Sequence, residues 1–397
     1  HWNVPVEIRQ GGKEIIYFAG DIRILVKRYM RDEDLVEEYI FRNLGNEHIS
    51  LADIGIYTPF NDNYPNSQTC INARTNTHIW EGDNAAYVNA LRMGGYAPHL
   101  GLVVTKGAVK SYEIWERGND KANSHTRGII ALNLPDIQLE PGKEYSISWR
   151  LFSHKGIDDF QQKVLEKGSV FVSCNKYVFE KGETARIELA GASGVQKCIV
   201  KKNSSITPMY KEGDKWIAEI VMDQLGEVHL DISYGTNKQT HATCLVISNV
   251  DSLIQKRVDF ILNHQQMKGS DRRKDAFMVY DNEKNEIYLN NTPNCNPVDR
   301  DEGAERVGMG VLLAKYYQLH PSSEIKESLL RYTKFLRNRL QESDYKTFSS
   351  VDRKGRNRAY NYAWVSELYF QMYGITKDKQ YAVDGYKTLR SMFRQFG

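Results

Sequence analysis

The run Asp299-Arg300-Asp301-Glu302-Gly303-Ala304-Glu305-Arg306 places three carboxylates and a guanidinium at the opening of a helical pattern. Asp301, Glu302 and Glu305 are candidate general acids or bases. Arg306 at the end of the run suits a carboxylate held by two parallel hydrogen bonds. Acidic residues also occur at helix starts simply because they complement the dipole and cap free N–H groups. A second run, Asp352 to Trp364, joins basic and aromatic groups: Arg356, Arg358, Tyr360 and Trp364 are candidate substrate contacts. Guanidinium recognises a carboxylate, and an aromatic face covers the C–H surface of a sugar ring. Between the first two helical patterns lies a polar stretch, 267–300, several times longer than an ordinary helix connection. It carries Asp271, Tyr280, Asp281, Asn290 and Asn291, donors and acceptors suited to vicinal hydroxyls. Near the other end of the chain, His78, Trp80 and Glu81 follow a long polar-aromatic loop and could line a cleft, His78 and Trp80 sharing one strand face.

The elements that must hold these groups follow from periodicity. Residues 1 to about 165 are short β-type runs, such as Ile22 to Val26 and Leu100 to Val104, broken by Gly, Asn, Asp and Pro. That length of strand calls for a large sandwich rather than one sheet. From about 168 to 248 roughly seven short strands with recurrent turns read as an immunoglobulin-like sandwich. After Val250 the period becomes 3.6, with stripes such as Leu253, Ile254, Val258, Ile261 and Leu262, then Val307, Val311, Leu312, Tyr316 and Leu319. His320 to Ser323 and Gly374 to Thr376 are short connectors, so neighbouring helices form antiparallel hairpins. Helix pairs of this kind suit a toroid, which needs more pairs to close, so the chain is expected to be part of a longer protein.

Composition narrows the partners. The 397 residues correspond to two or three domains at roughly 150 residues each. The 53 basic and 50 acidic side chains leave a net charge of +3, too little for sequence-independent nucleic-acid binding. No 18-residue apolar run is present, which excludes a membrane-spanning helix. Five cysteines, Cys70, Cys174, Cys198, Cys244 and Cys295, show neither C-x-x-C nor zinc spacing; one bridge within 174–244 stays open. No metal or other cofactor is expected. Phosphate-cradling, dinucleotide, nucleophile-elbow and zincin motifs do not occur.

Asp53 to Tyr64, His78-Ile79-Trp80, Ala90 to Gly95, Pro98 to Leu102 and Phe152 to Gly156 together resemble an uncharacterised bacterial family. That family, a domain of unknown function, is similar to carbohydrate-processing proteins of the six-hairpin glycosidase type. The resemblance covers most of the chain and carries no catalytic assignment for any single residue. It implies a galactose-mutarotase-like β-supersandwich over 1–166, an immunoglobulin-like β-sandwich over 167–249, and an incomplete (α/α) toroid-type helical domain over 250–397.

The expectation is a glycoside hydrolase acting on a polysaccharide or oligosaccharide, uronic-acid-containing ones included, in the periplasm or outside the cell. A polysaccharide lyase is the second reading, with Tyr280, Tyr360, His78 or His99 as the base. A non-catalytic glycan-binding protein is the third. Sugar, linkage and oligomeric state are not readable from the residues.

Overall fold

The computed structural model describes residues 4–60, 66–115, 129–192, 194–288, 303–352 and 357–397. They divide into two compact units, 1–248 and 249–397, so the expected boundary near 166 falls inside the first unit. The fold is β-rich at the start of the chain and helical at its end.

The first unit begins with an antiparallel sheet of eight strands among the described residues. Their spatial order is Glu7–Arg9, Glu14–Ala19, Ile22–Arg31, Asp34–Asn43, Glu144–His154, His99–Lys106, Tyr87–Arg92 and Thr75–Trp80. Alternation explains its buried face: Ile22, Ile24 and Val26 point inward, as do Tyr39 and Phe41 on the next strand and Ile147 and Trp149 on the one after. Smaller sheets that include Ile129–Asn133 and Ile137–Leu139 supply Ile130, Leu132, Ile137 and Leu139 to the same core. Trp149 is fully buried, and its indole N–H donates to Glu37 Oε2 at 2.9 Å while Arg28 Nε donates to Glu37 Oε1 at 2.6 Å. The strand pair therefore buries a large ring without leaving its polar atom unmet. Two helices flank this layer, α1 (Ser67–Ala73) and α2 (Ile157–Glu166). α2 buries Phe160 and Val164 beside Val103 and Phe152.

The second sandwich of this unit packs a four-stranded sheet against a five-stranded one. Its core includes Phe179, Ile187, Leu189, Val200, Leu230 and Ile232, all inaccessible to solvent. The strand Val178–Glu180 runs parallel to Lys238–Ile247 while the remaining ladders are antiparallel. The two sandwiches share packing. Tyr87 stacks on Phe171, Ala85 enters the second core, and Asn84 exchanges two hydrogen bonds with Gln239, from its backbone N–H and to its side-chain oxygen.

The helical unit contains α3 (Val250–Phe260), α4 (Val307–Leu319), α5 (Ser323–Phe335), α6 (Ala359–Thr376) and α7 (Lys379–Phe396). α3 and α5 each run into a wider turn, Ile261–Gln265 and Leu336–Leu340. α4 packs on α5 and α6, and α6 on α7. Three details differ from the sequence expectation. α6 continues through Gly374 to Thr376, whose hydroxyl donates back to the Met372 carbonyl; Lys377, at φ 62, and Asp378 make the connection, and Asp378 caps α7. The buried face of α4 is Val307, Gly310, Leu313 and Ala314, while Leu319 is 78% exposed, because the helix is apolar almost all round and its packing partners choose the face. The polar stretch after Met267 is not simply a solvated loop: Ala276, Phe277 and Met278 are fully buried, and Gln265 Nε2 donates to the Met278 carbonyl. No helix among the described residues is long and apolar enough to cross a membrane.

His154 yields a pH test of the first unit. It is 1% exposed, its ring lies 5.3 Å from that of His99, and its Nδ1 is 3.0 Å from the Gly156 carbonyl oxygen. Burial holds its pKa below 6.5; the Gly156 carbonyl opposes that shift and His99 reinforces it. The unfolded chain therefore binds this proton first as pH falls through about 6.5. Stability that is complete above that value should decline below it, down to the lowered folded pKa. Urea midpoints measured from pH 7.5 to pH 5 should fall, and the fall should shrink in His154→Gln; equal slopes for both proteins would remove His154 as the cause.

Candidate functional site

The short turn Ala304–Arg306 leads into α4 and sets Glu305 against the first turn of α6. Gly310, one helical turn further along α4, allows the close approach: a Cβ there would lie 3.0 Å from both the Tyr332 ring and Leu368. Arg358 stands just before α6 in an extended conformation, so its side chain is free to turn toward Glu305 while Tyr360 and Asn361 follow in the helix.

Glu305 Oε1 accepts three hydrogen bonds from that segment: Arg358 Nη1 at 3.1 Å, the Tyr360 hydroxyl at 3.3 Å and Asn361 Nδ2 at 3.3 Å. Arg358 Nη1 also donates to the Tyr360 hydroxyl oxygen at 2.5 Å. The Glu305 and Arg358 side chains are 12% and 20% exposed, so this pair is shielded rather than a surface ion pair. Asn361 is fully buried and its Nδ2 also donates to Ser349 Oγ at 2.9 Å. Tyr360 and Trp364, four residues apart on α6, stand exposed with ring centroids 5.6 Å apart. A buried polar floor thus meets an exposed aromatic edge.

Around this floor four buried polar atoms have no hydrogen-bond partner among the described residues: Glu305 Oε2, Arg306 Nε, Asn361 Oδ1 and the Tyr332 hydroxyl. Buried polar atoms of this kind recur elsewhere among the described residues and are ordinarily met by water. Burial raises the Tyr332 pKa well above 10; Arg306 offsets part of that shift and Glu305 adds to it. Tyr332 therefore stays a neutral donor.

The other sequence candidates lie elsewhere. Asp301, Glu302 and Arg356 fall outside the described residues, as do Asn290 and Asn291. Tyr280 packs edge-on to Phe260 at 5.0 Å and near His264 at 6.0 Å. Asp271 is clamped by Arg273 Nε at 2.9 Å and Nη2 at 3.0 Å, which holds its carboxyl at about 2 and removes it as a general acid near neutrality. In the first unit, Trp80 is used in packing: its ring lies 4.4 Å from that of His241, whose Nε2 is 3.6 Å from Glu81. His78 is exposed on the same strand. His99 is 6% exposed and its Nδ1 accepts from the Arg92 N–H at 3.1 Å, so that nitrogen is engaged. Tyr332, Asn361 and Ser349 were not singled out from sequence. A Tyr on a helix that buries Leu329 and Phe335 reads as core, and only the packing brings Tyr332 near Glu305 and Arg306 and sets Ser349, from the segment before α6, against Asn361. Among the described residues no group of three or more His, Cys, Asp or Glu is placed to hold a metal ion.

Two substitutions separate the made bonds from the unmade ones. Glu305→Ala should destabilise the helical unit by about 2–3 kcal/mol, because it strands a shielded guanidinium and a buried amide. Tyr332→Phe should cost less than about 1 kcal/mol, since it removes a hydroxyl that has no partner among the described residues. Urea unfolding checks both; a large loss in Tyr332→Phe would mean that bound water already satisfies the hydroxyl.

Comparison with known proteins adds the following. Residues 132–318, under half of the chain, match a family described as "Family of unknown function (DUF5695)". No curated protein matches the chain. A solved structure titled as a polysaccharide lyase superposes with a TM-score of 0.94 at 62% identity, covering 100% of this chain and 59% of its own. The chain thus spans 59% of the length of that relative. A family 76 glycoside hydrolase from a bovine Bacteroides thetaiotaomicron strain gives a TM-score of 0.22 at 11% identity, over 57% of this chain and 78% of its own. A metagenome-derived family 9 endoglucanase gives 0.24 at 11%, over 58% and 54%. Scores that low carry no argument about fold or chemistry.

Proposed function

We propose that the chain is part of a polysaccharide lyase and that the Glu305 cluster serves β-elimination on a uronic-acid-containing polysaccharide. The observation that carries this reading is the Arg358–Tyr360–Asn361 group gathered on one carboxylate, in a chain 62% identical to a structure titled as a polysaccharide lyase. Elimination needs a cation or strong donors on the uronate carboxylate, so that the proton on the adjacent carbon becomes acidic, and a base within reach of that proton. Arg358 supplies the guanidinium. Tyr360 supplies an oxygen that already faces Arg358 at 2.5 Å. Tyr360 first gives its hydroxyl proton to solvent; its oxygen then takes the proton of the C–H bond, a carbon–carbon double bond forms, the neighbouring glycosidic C–O bond breaks, and the leaving oxygen takes that proton from Tyr360, which is reprotonated from solvent. Glu305, accepting from all three groups, is a positioning residue here rather than the acid.

Hydrolysis, the first expectation from sequence, has less support. It needs two carboxylates flanking the bond. Glu305 is met by a guanidinium, a phenol and an amide, which occupy its Oε1, and its Oε2 is buried. Of the four bases named for elimination, Tyr280 and His99 are packed, and Tyr360 is the one joined to an arginine. Tyr360 and Trp364 form an exposed platform for a sugar face.

The same reading takes residues 1–166 as a β-supersandwich of the galactose-mutarotase type and 167–249 as an immunoglobulin-like module. Residues 250–397 become an arc of an (α/α) toroid, which the antiparallel packing of α4 with α5 and α6 with α7 supports. A polymeric substrate also favours action in the periplasm or outside the cell.

The test is a panel of uronic-acid polysaccharides incubated with the protein, followed both by ultraviolet absorbance of unsaturated ends and by reducing-end release. Both signals should rise together, and Tyr360→Phe should lower the rate on the order of 10²-fold or more with binding retained. Reducing ends without ultraviolet absorbance would replace elimination by hydrolysis, and an intact polymer that is nevertheless bound would leave a binding module.

A further inference from the structure

Two cysteines of the second sandwich sit opposite one another across its two sheets. Cys174 ends the strand Phe171–Cys174, an outer strand of the four-stranded sheet, where it pairs in register with Ile187. Cys244 lies within Lys238–Ile247 of the five-stranded sheet, opposite Val228. Facing sheets normally lie about 10 Å apart. Here residues of the two strands approach within 8 Å, Cα to Cα, nearer than facing sheets usually stand, and both cysteines are part of the core packing between them. Cys244 is 1% exposed and belongs to the core of this sandwich, and Cys174 packs against that core while keeping partial exposure. Both are free thiols.

We propose that Cys174 and Cys244 form a reversible inter-sheet disulfide that staples the second sandwich under oxidising conditions. The two thiols interact directly, and each is the first influence on the other's ionisation: the Cys244 thiol brings Cys174 down to about 7, and Cys174 pushes Cys244 up. The partly exposed Cys174 is the thiol that an outside disulfide reaches, and the buried Cys244 is the resolving thiol. Cys198, buried in the same core, is pushed up to about 11 by burial and is a poor competitor.

The oxidant is an external disulfide, either oxidised glutathione or an oxidised protein dithiol. The Cys174 thiolate attacks one of its sulfurs, a mixed disulfide forms and one thiol leaves. Cys244 then loses its proton and attacks the Cys174 sulfur, forming the internal bond and releasing the second thiol. One disulfide is consumed and one formed, with two cysteine protons passing to the released thiols. The bond closes a loop of about 70 residues, long enough to restrict the unfolded chain substantially.

The experiment treats the whole protein with oxidised glutathione or with dithiothreitol, blocks remaining thiols with an alkylating agent and maps the peptides. The expected result is a Cys174–Cys244 cross-linked peptide after oxidation, absent after reduction, together with a melting transition several degrees higher in the oxidised protein. Cys244→Ser should instead accumulate glutathione on Cys174. Glutathione that remains on Cys174 in the wild-type protein without closure, a cross-link from Cys174 to another cysteine, or a lower melting transition after oxidation would each overturn the proposal. None of these outcomes depends on the polysaccharide assay.

Discussion

One carboxylate organises the helical unit. Glu305 sits at the entrance to α4, and its Oε1 gathers a guanidinium, a phenol and an amide from the first turn of α6. With its side chain only 12% exposed, that charge is tolerable because a cation and two neutral donors surround it. The same requirement fixes the relative position of two helices whose apolar contacts alone would permit some sliding, α4 being apolar almost all round. Gly310 shortens the distance that must be spanned, and Ser349 holds Asn361 from the far side.

The site has two halves with opposite physical character. The floor is polar and shielded, with four atoms that have no hydrogen-bond partner among the described residues. The edge is aromatic and open, formed by Tyr360 and Trp364. A hydroxyl-rich ring with a charged substituent is complementary to both halves, since its oxygen atoms can meet the floor while its C–H face covers the rings. The β-rich unit relies on different physics. Its sheets satisfy their backbone groups through ladders, and the carboxylate beneath its largest buried ring, Glu37 at Trp149, is met on both oxygens.

Much of the architecture was legible because periodicity is a local property. Alternation at Ile22, Ile24 and Val26 marked a half-buried strand, and those residues are buried. The change from period two to 3.6 after Val250 coincides with the start of α3. Legibility failed where a residue's role depends on what meets it. Trp80 reads as a ligand platform in sequence, but its ring is covered by His241, 161 positions later by subtraction. Asp271 reads as a free carboxylate until Arg273 folds back on it. Leu319 continues a helical stripe on paper and stands in solvent, while its neighbour Gln318 is the residue of that turn that meets α6, through Gln371.

The amino-acid sequence by itself determined the residue types available for chemistry and the elements that carry them: strands first, helices last, with an acidic run before α4 and a basic-aromatic run before α6. Tertiary structure decided which of these groups meet. Glu305 and Arg358 are 53 positions apart, and no local pattern links them; helix packing brings them to 3.1 Å. The same holds for Tyr332 and Asn361, whose polar groups are buried by helix packing, and for Cys174 and Cys244 on opposing sheets. Helix and strand formation follow from interactions over a few residues, whereas a site needs charges and donors from distant segments to share one buried volume, and only the packed core creates that volume.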